Sequence, residues 1–107
     1  MNKTLITGGA GLIGSNVAKR LLKRGHDIII YDPFIQYTSP FKILIKNYYD
    51  LRFQGIADKI IFERGETTNI SHLREVINMH KPNYILHLGA MPIADLSNTI
   101  YISKLIK

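Results

Sequence analysis

The stretch "TLITGGAGLIGSNV" near the amino terminus limits the fold more than any other: an apolar run breaks into four glycines and then resumes with helical spacing. Glycine loses more backbone freedom on folding than any other residue, so a cluster of it needs a geometric reason. One reason is a backbone that turns tightly from strand into helix and lets an anion approach its N–H groups. A unit of that kind belongs to a parallel α/β sheet, and the rest of the chain is patterned to supply one.

Lys3 to Thr7 reads as a buried strand. Leu12 to Arg24 reads as an amphipathic helix, with Leu12, Ile13, Val17, Leu21 and Leu22 close to helical spacing and Gly25 closing it. "HDIIIYD", His26 to Asp32, is a second buried strand ending in an acid. "SPFKILIKNYYDLRF" predicts a second helix capped by Ser39, with Pro40 in its first turn and Gly55 beyond its end. Its apolar stripe is Phe41, Leu44, Ile45, Tyr48 and Tyr49. "KIIFERG" is a third strand; "SHLREVINMHKP" is a third helix with Leu73, Val76, Ile77 and His80 on one side and Pro82 after its end. "NYILHLGA" is a fourth strand, and a helical pattern starts again at Ser97. Strands alternating with helices, and strands apolar almost throughout, predict a parallel sheet covered on both faces. The predicted strand order is 3-2-1-4, within one Rossmann-type domain spanning residues 1–107.

Composition narrows the function classes. At 107 residues the chain is one small domain, and 46% hydrophobic residues suit a folded protein. No apolar run reaches the length of a membrane span, and no signal-peptide pattern opens the chain, so the expectation is a cytoplasmic protein without a membrane partner. The absence of cysteine removes disulfides and thiolate metal sites. His72 and His80 flank one helix without ligand spacing, so no metal is expected. The net charge of +6 raises the question of nucleic acid. The basic residues are scattered, however: Lys19, Arg20, Lys23 and Arg24 fall on one helix, Lys42 and Lys46 on another. With no basic run and no aromatic RNA-binding signature, nucleic acid is not an expected partner.

The glycines fit two spacings at once, G-x-G-x-x-G through Gly9, Gly11 and Gly14, and G-x-x-G-x-x-G through Gly8, Gly11 and Gly14. A strand precedes them, a helix follows, and Asp32 ends the next strand about 20 residues on, where an acid can meet the ribose hydroxyls of a dinucleotide. A triphosphate-binding loop would need lysine after the last glycine, and Ser15 stands there. A glycine turn without a ligand is the plain alternative; it would need turn, helix start and distant acid to coincide.

"TGGAGLIGS", "IIIYD", "ERGETTN" and "ILHLGAMP", in this order, resemble the extended short-chain dehydrogenase/reductase family, the NAD-dependent epimerases and dehydratases of nucleotide sugars. The resemblance covers nearly the whole chain but only the first part of a family member. It implies that Gly8, Gly11 and Gly14, with the amides of Leu12 and Ile13, hold the pyrophosphate of NAD, and that Asp32 binds the adenosine ribose. The family's Gly-Asp-Ile or Gly-Asp-Leu after the third strand is here Gly65-Glu66-Thr67, which places Glu66 and Thr67 at the adenine. Its "HLAA" is His87-Leu88-Gly89-Ala90, so Leu88, Gly89 and Ala90 line the cofactor, with Gly89 lacking a methyl. The implied activity is hydride chemistry on a nucleotide sugar, as epimerase, dehydratase or decarboxylase, in which a tyrosine of lowered pKa is the base.

The family's catalytic Tyr-x-x-x-Lys pair is absent, because no tyrosine here has lysine four residues on. No catalytic residue is therefore assigned; the sugar-binding part is expected beyond this sequence, and the chain by itself is expected to be inactive. A stand-alone or vestigial NAD-binding module is the rival reading, and a homodimer is left open. His87 reads as a satisfied core histidine, Tyr48 and Tyr49 as packing residues, and Asp27, Asp50, Asp58 and Glu63 as surface charges.

Overall fold

In the computed structural model the described residues are 2–34 and 49–89. They form β1 (Lys3–Thr7), α1 (Leu12–Lys23), β2 (Asp27–Asp32), a 3-10 turn (Ala57–Lys59), β3 (Ile60–Arg64), α2 (Ile70–His80) and β4 (Tyr84–His87). Of the helix predicted from Ser39, only its last turn, 49–52, falls within the described residues, and it is helical. Ser39, Tyr48, Ala90 and the pattern from Ser97 lie outside the described residues.

All four strands are parallel, in the order β3-β2-β1-β4. That order follows from the central strands. β2 alternates its side chains between two layers: Ile28 and Ile30 join Ile6, Ala18 and Phe53 on the α1 side, while Ile29 and Tyr31 join Leu5 and Val76 on the α2 side. Full burial of each isoleucine stabilises the fold by roughly 1.5–3 kcal/mol. β1 and β2 thus need cover on both faces, and they occupy the middle.

Two expectations about cover need correction. In α1 the residues buried against the sheet are Gly14, Ser15 and Ala18, whereas Leu12 and Ile13 are 66% and 70% exposed. The helix approaches the sheet so closely that its contact stripe is made of small residues, and the large ones, Val17, Leu21 and Leu22, pack at its margins. Leu12 and Ile13 sit in the first turn, beyond the packed stretch. The strand β4 is also less covered than its apolar sequence implies, with Tyr84 and Ile85 55% and 53% exposed. Among the described residues it is an end strand, paired to β1 alone.

Local chemistry sets the helix ends. Arg24 caps α1 and Gly25 follows at φ +86°, a left-handed turn that glycine takes without strain. The Asn69 side chain accepts from the His72 amide and starts α2 at Ile70, one residue earlier than the sequence pattern suggests; Lys81 ends it before Pro82. Asn83 then clips β4 to β1: its amide donates to the Lys3 carbonyl at 2.8 Å and its side-chain oxygen accepts from the Lys3 amide at 2.9 Å.

Candidate functional site

Parallel strands end on one edge, and the register brings Thr7, Tyr31, Asp32, Arg64 and His87 to it: Thr7 lies opposite Tyr31 and His87, and Asp32 opposite Arg64. The glycine turn crosses this edge between β1 and α1. Gly8 needs its φ of +68°, and it also needs its bare Cα, since a Cβ there would come within 2.8 Å of the Gly89 nitrogen. Gly14 is more constrained still: its Cβ would sit 2.6 Å from the Gly9 Cα and 2.7 Å from the Gly8 carbonyl oxygen. Gly11 differs. A Cβ on it would meet only the Gly8 carbonyl, at 3.3 Å, so its outer side opens away from the protein. Gly11 is also the N-cap of α1, which has no side-chain cap and no acidic residue in its first turn. The first amides of a helix have no intrahelical partner, so Leu12 and Ile13 present N–H groups and the positive end of the helix dipole at this opening.

Asp32 closes the turn from the side. It is only 8% exposed. Its Oδ2 accepts from the Ala10 amide at 3.1 Å and its Oδ1 from the Phe34 amide at 2.7 Å. Burial pushes its carboxyl above the usual range, and the two amide bonds and the Arg52 charge pull back against that. Phe34 holds a left-handed φ of 58°, and its ring is pinned by edge contacts with Tyr49 at 5.3 Å and Phe62 at 6.0 Å. Burial and the nearby Asp32 carboxylate raise the Tyr49 hydroxyl, with Arg52 and Arg64 opposing. Arg52 Nη1 donates to the Ala10 carbonyl at 2.8 Å. Ala10 is buried, and leaving that carbonyl unpaired would cost about 1–3 kcal/mol.

The loops after β3 and β4 come to the same edge through two buried hydroxyls. Tyr31 donates to the Glu66 carbonyl at 3.1 Å and lies 3.0 Å from His72 Nδ1. Its single proton goes to Glu66, so His72 Nδ1 carries a hydrogen and donates to Tyr31. Burial, then the Glu66 and Glu63 carboxylates, raise the Tyr31 hydroxyl and keep it a donor. Gly65 has no room for a Cβ, which would collide with the Tyr31 hydroxyl. On the other side Thr7 Oγ1 accepts from the amides of Leu88 and Gly89, both at 3.1 Å, and is 2.6 Å from His87 Nδ1. The Thr7 hydroxyl hydrogen has the His87 ring nitrogen as its acceptor, since the other two partners are N–H donors. Thr67 approaches from the β3 side, its Cγ2 3.3 Å from where a Gly89 Cβ would be.

Gly8, Gly11, Leu12, Ile13, Gly14, Asp32, Glu66, Thr67, Leu88 and Gly89 thus gather at one edge of the sheet. His87 is satisfied, as its sequence context suggests, but it is exposed on the end strand rather than buried in the core. Glu63 is not a free surface charge: its Oε1 is 3.0 Å from His80 Nε2, with both side chains largely covered. Tyr49 packs as expected. The sequence reading missed Arg52 and Thr7. Arg52 had one legible signal, since it continues the apolar stripe three residues after Tyr49 and so puts a guanidinium on the helix's inward side.

Comparison with known proteins gives this arrangement a context. The family described as GDP-mannose 4,6 dehydratase matches residues 5–99. A UDP-N-acetyl-alpha-D-glucosaminuronate decarboxylase of Bacillus cytotoxicus is 33% identical over 89 residues, 83% of this chain and 24% of that protein. A UDP-glucose 4-epimerase of Rhizobium meliloti is 31% identical over 90 residues, 84% of this chain and 23% of the relative. Among solved structures, dTDP-glucose 4,6-dehydratase from Bacillus anthracis in complex with NAD superposes with a TM-score of 0.68 at 27% identity, over 85% of this chain and 27% of that one. The chain spans about a quarter of the length of these relatives.

Proposed function

Because this chain belongs to the GDP-mannose 4,6 dehydratase family, we propose that it is the NAD-binding part of a nucleotide-sugar epimerase/dehydratase-type enzyme. The observation that carries the reading is the pairing of an open, uncapped helix start at Gly11 with a buried acid, Asp32, at the end of the neighbouring strand. The residues fit a dinucleotide. The amides of Leu12 and Ile13 would hold the pyrophosphate, with Gly8 and Gly14 fixing the turn beneath it. Asp32 would accept from the ribose hydroxyls with the lone pairs its two amide bonds leave. Glu66 and Thr67 would flank the adenine, and Leu88, Gly89 and Ala90 the other side.

Bound NAD would supply a reversible hydride acceptor for a sugar carbon. This chain's own residues bind and orient it; no Tyr-x-x-x-Lys pair is present to move the proton. The three relatives named above are a decarboxylase, an epimerase and a dehydratase of nucleotide sugars, and the nucleotide sugar is the proposed substrate of the whole enzyme. No helix among the described residues is long and apolar enough to cross a membrane. A cytoplasmic location completes the proposal, supported by the cysteine-free sequence; sedimentation reads directly whether the chain forms a homodimer.

Calorimetric titration of the purified chain with NAD and NADP tests the reading. NAD should bind more tightly, because the Asp32 carboxylate repels a 2′-phosphate, and Asp32→Ala should narrow the difference. Equal or tighter binding of NADP to the unaltered chain would contradict the assigned role of Asp32. Incubation with NAD and a panel of UDP-, GDP- and dTDP-sugars should give no product.

A further inference from the structure

We infer that Arg52 is a positioning residue for the phosphate-binding turn, clamping its tip through the Ala10 carbonyl while Asp32 holds the Ala10 amide; the inference rests on the NAD-binding reading above. Ala10 is buried within the turn, 1% exposed, and both of its backbone polar groups are taken by side chains. Its N–H donates to Asp32 Oδ2 at 3.1 Å and its carbonyl accepts from Arg52 Nη1 at 2.8 Å. The two side chains carry opposite charges and arrive from different elements, Asp32 from the end of β2 and Arg52 from the turn 49–52. Arg52 is itself placed by the Tyr49 ring, 5.8 Å from its guanidinium carbon, and by Phe53, the next residue, which is buried in the α1-side core. The clamp is therefore anchored in the core at both ends.

A turn that binds pyrophosphate through amides must hold those amides in one arrangement before the ligand arrives, since ordering them on binding would weaken affinity. The Ala10 peptide precedes Gly11, the open position, so fixing its carbonyl fixes the plane from which the Gly11 and Leu12 amides follow. Arginine suits this role better than lysine. Its planar fork can donate to the carbonyl while its charge stays near Asp32 and its face lies over an aromatic ring. The guanidinium also offsets the negative charge that Asp32 keeps at this buried position.

The test compares Arg52→Met, which keeps the stem and loses charge and donors, with Arg52→Lys. NAD affinity is read by calorimetry, and amide hydrogen exchange at Ala10 and Gly11 is read by NMR in the ligand-free protein. Arg52→Met should bind NAD about tenfold more weakly or worse and exchange these amides faster. Arg52→Lys should recover a large part of both, which general loss of packing would not allow. Unchanged exchange at Ala10 and Gly11 in Arg52→Met would overturn the clamp whatever the affinity. Unchanged NAD affinity in Arg52→Met, with Gly11→Val unable to bind, would overturn the positioning role and leave the NAD reading standing. If the unaltered chain bound no NAD, the reading itself would fail and the inference with it.

Discussion

The two strands that flank β1 are both short and largely apolar, and they are opposite in setting. β2 reads DIIIYD and is buried from Ile28 onward; β4 reads YILH and its first two residues are more than half exposed. The β2 side of the site is built into the core: Asp32, the Ala10 peptide and Arg52 are tied to residues that pack under the sheet. The loop after β4 is tied to β1 through the Thr7 hydroxyl and one backbone bond, from the Leu88 amide to the Thr7 carbonyl. Burial thus gives the glycine-turn half of the site a cover that the loop after β4 does not share. That contrast can be broken or sharpened by substitution.

The largest effect is expected from Gly14→Val. The added Cβ would press on the backbone of Gly8 and Gly9, which cannot move without lifting α1 from the sheet. A stability loss of about 3 kcal/mol or more is expected by chemical denaturation. A loss below about 1 kcal/mol would mean the turn is as yielding as the β4 side.

Next is Thr7→Val, which keeps the shape and removes the hydroxyl. The Gly89 amide and His87 Nδ1 lose their partner, at about 1–3 kcal/mol. Hydrogen exchange should accelerate at Gly89 while Gly11 is unaffected, and equal acceleration at both would deny that the two halves are held separately.

Asp32→Asn probes the buried acid through pH. Burial raises the folded-state pKa of Asp32, so its stabilising contribution is present below the ordinary carboxylate pKa and is lost as pH rises through the folded value. The asparagine variant, which does not ionise, should therefore gain on the unaltered chain from acid toward neutral pH in denaturation experiments. A difference that moves the other way would show that Arg52 and the two amides outweigh burial.

The smallest effect belongs to Ile85→Thr on β4, expected within about 0.5 kcal/mol because the side chain is already 53% exposed. The equivalent change at Ile29 on β2 should cost several times more.

The same contrast explains what the sequence could reveal. The parallel sheet and Asp32 at the end of β2 are legible because they rest on local pattern, alternating strands and helices and an acid at a fixed distance from glycines. The order 3-2-1-4 follows from the Rossmann-type fold that this pattern implies. The Thr7–Gly89 and Arg52–Ala10 contacts join residues far apart in the chain, and no periodicity encodes them. The exposure of Leu12 and Ile13 is hidden from the sequence for another reason. Helical spacing of large apolar residues suggested a buried stripe, but close approach of α1 gives the contact to Gly14 and Ala18 instead. Likewise the apolar run of β4 signals a strand without saying what covers it.

The central claim is that the opening above Gly11 takes the pyrophosphate of NAD. Its most direct measurement is calorimetric titration of NAD into the unaltered chain and into Gly11→Val, with circular dichroism to compare their folds. A Cβ at Gly11 meets only the Gly8 carbonyl, at 3.3 Å, so the fold should survive. The account predicts NAD binding by the unaltered chain and none by a folded Gly11→Val. Undiminished binding by that variant would place the phosphates elsewhere and contradict the account.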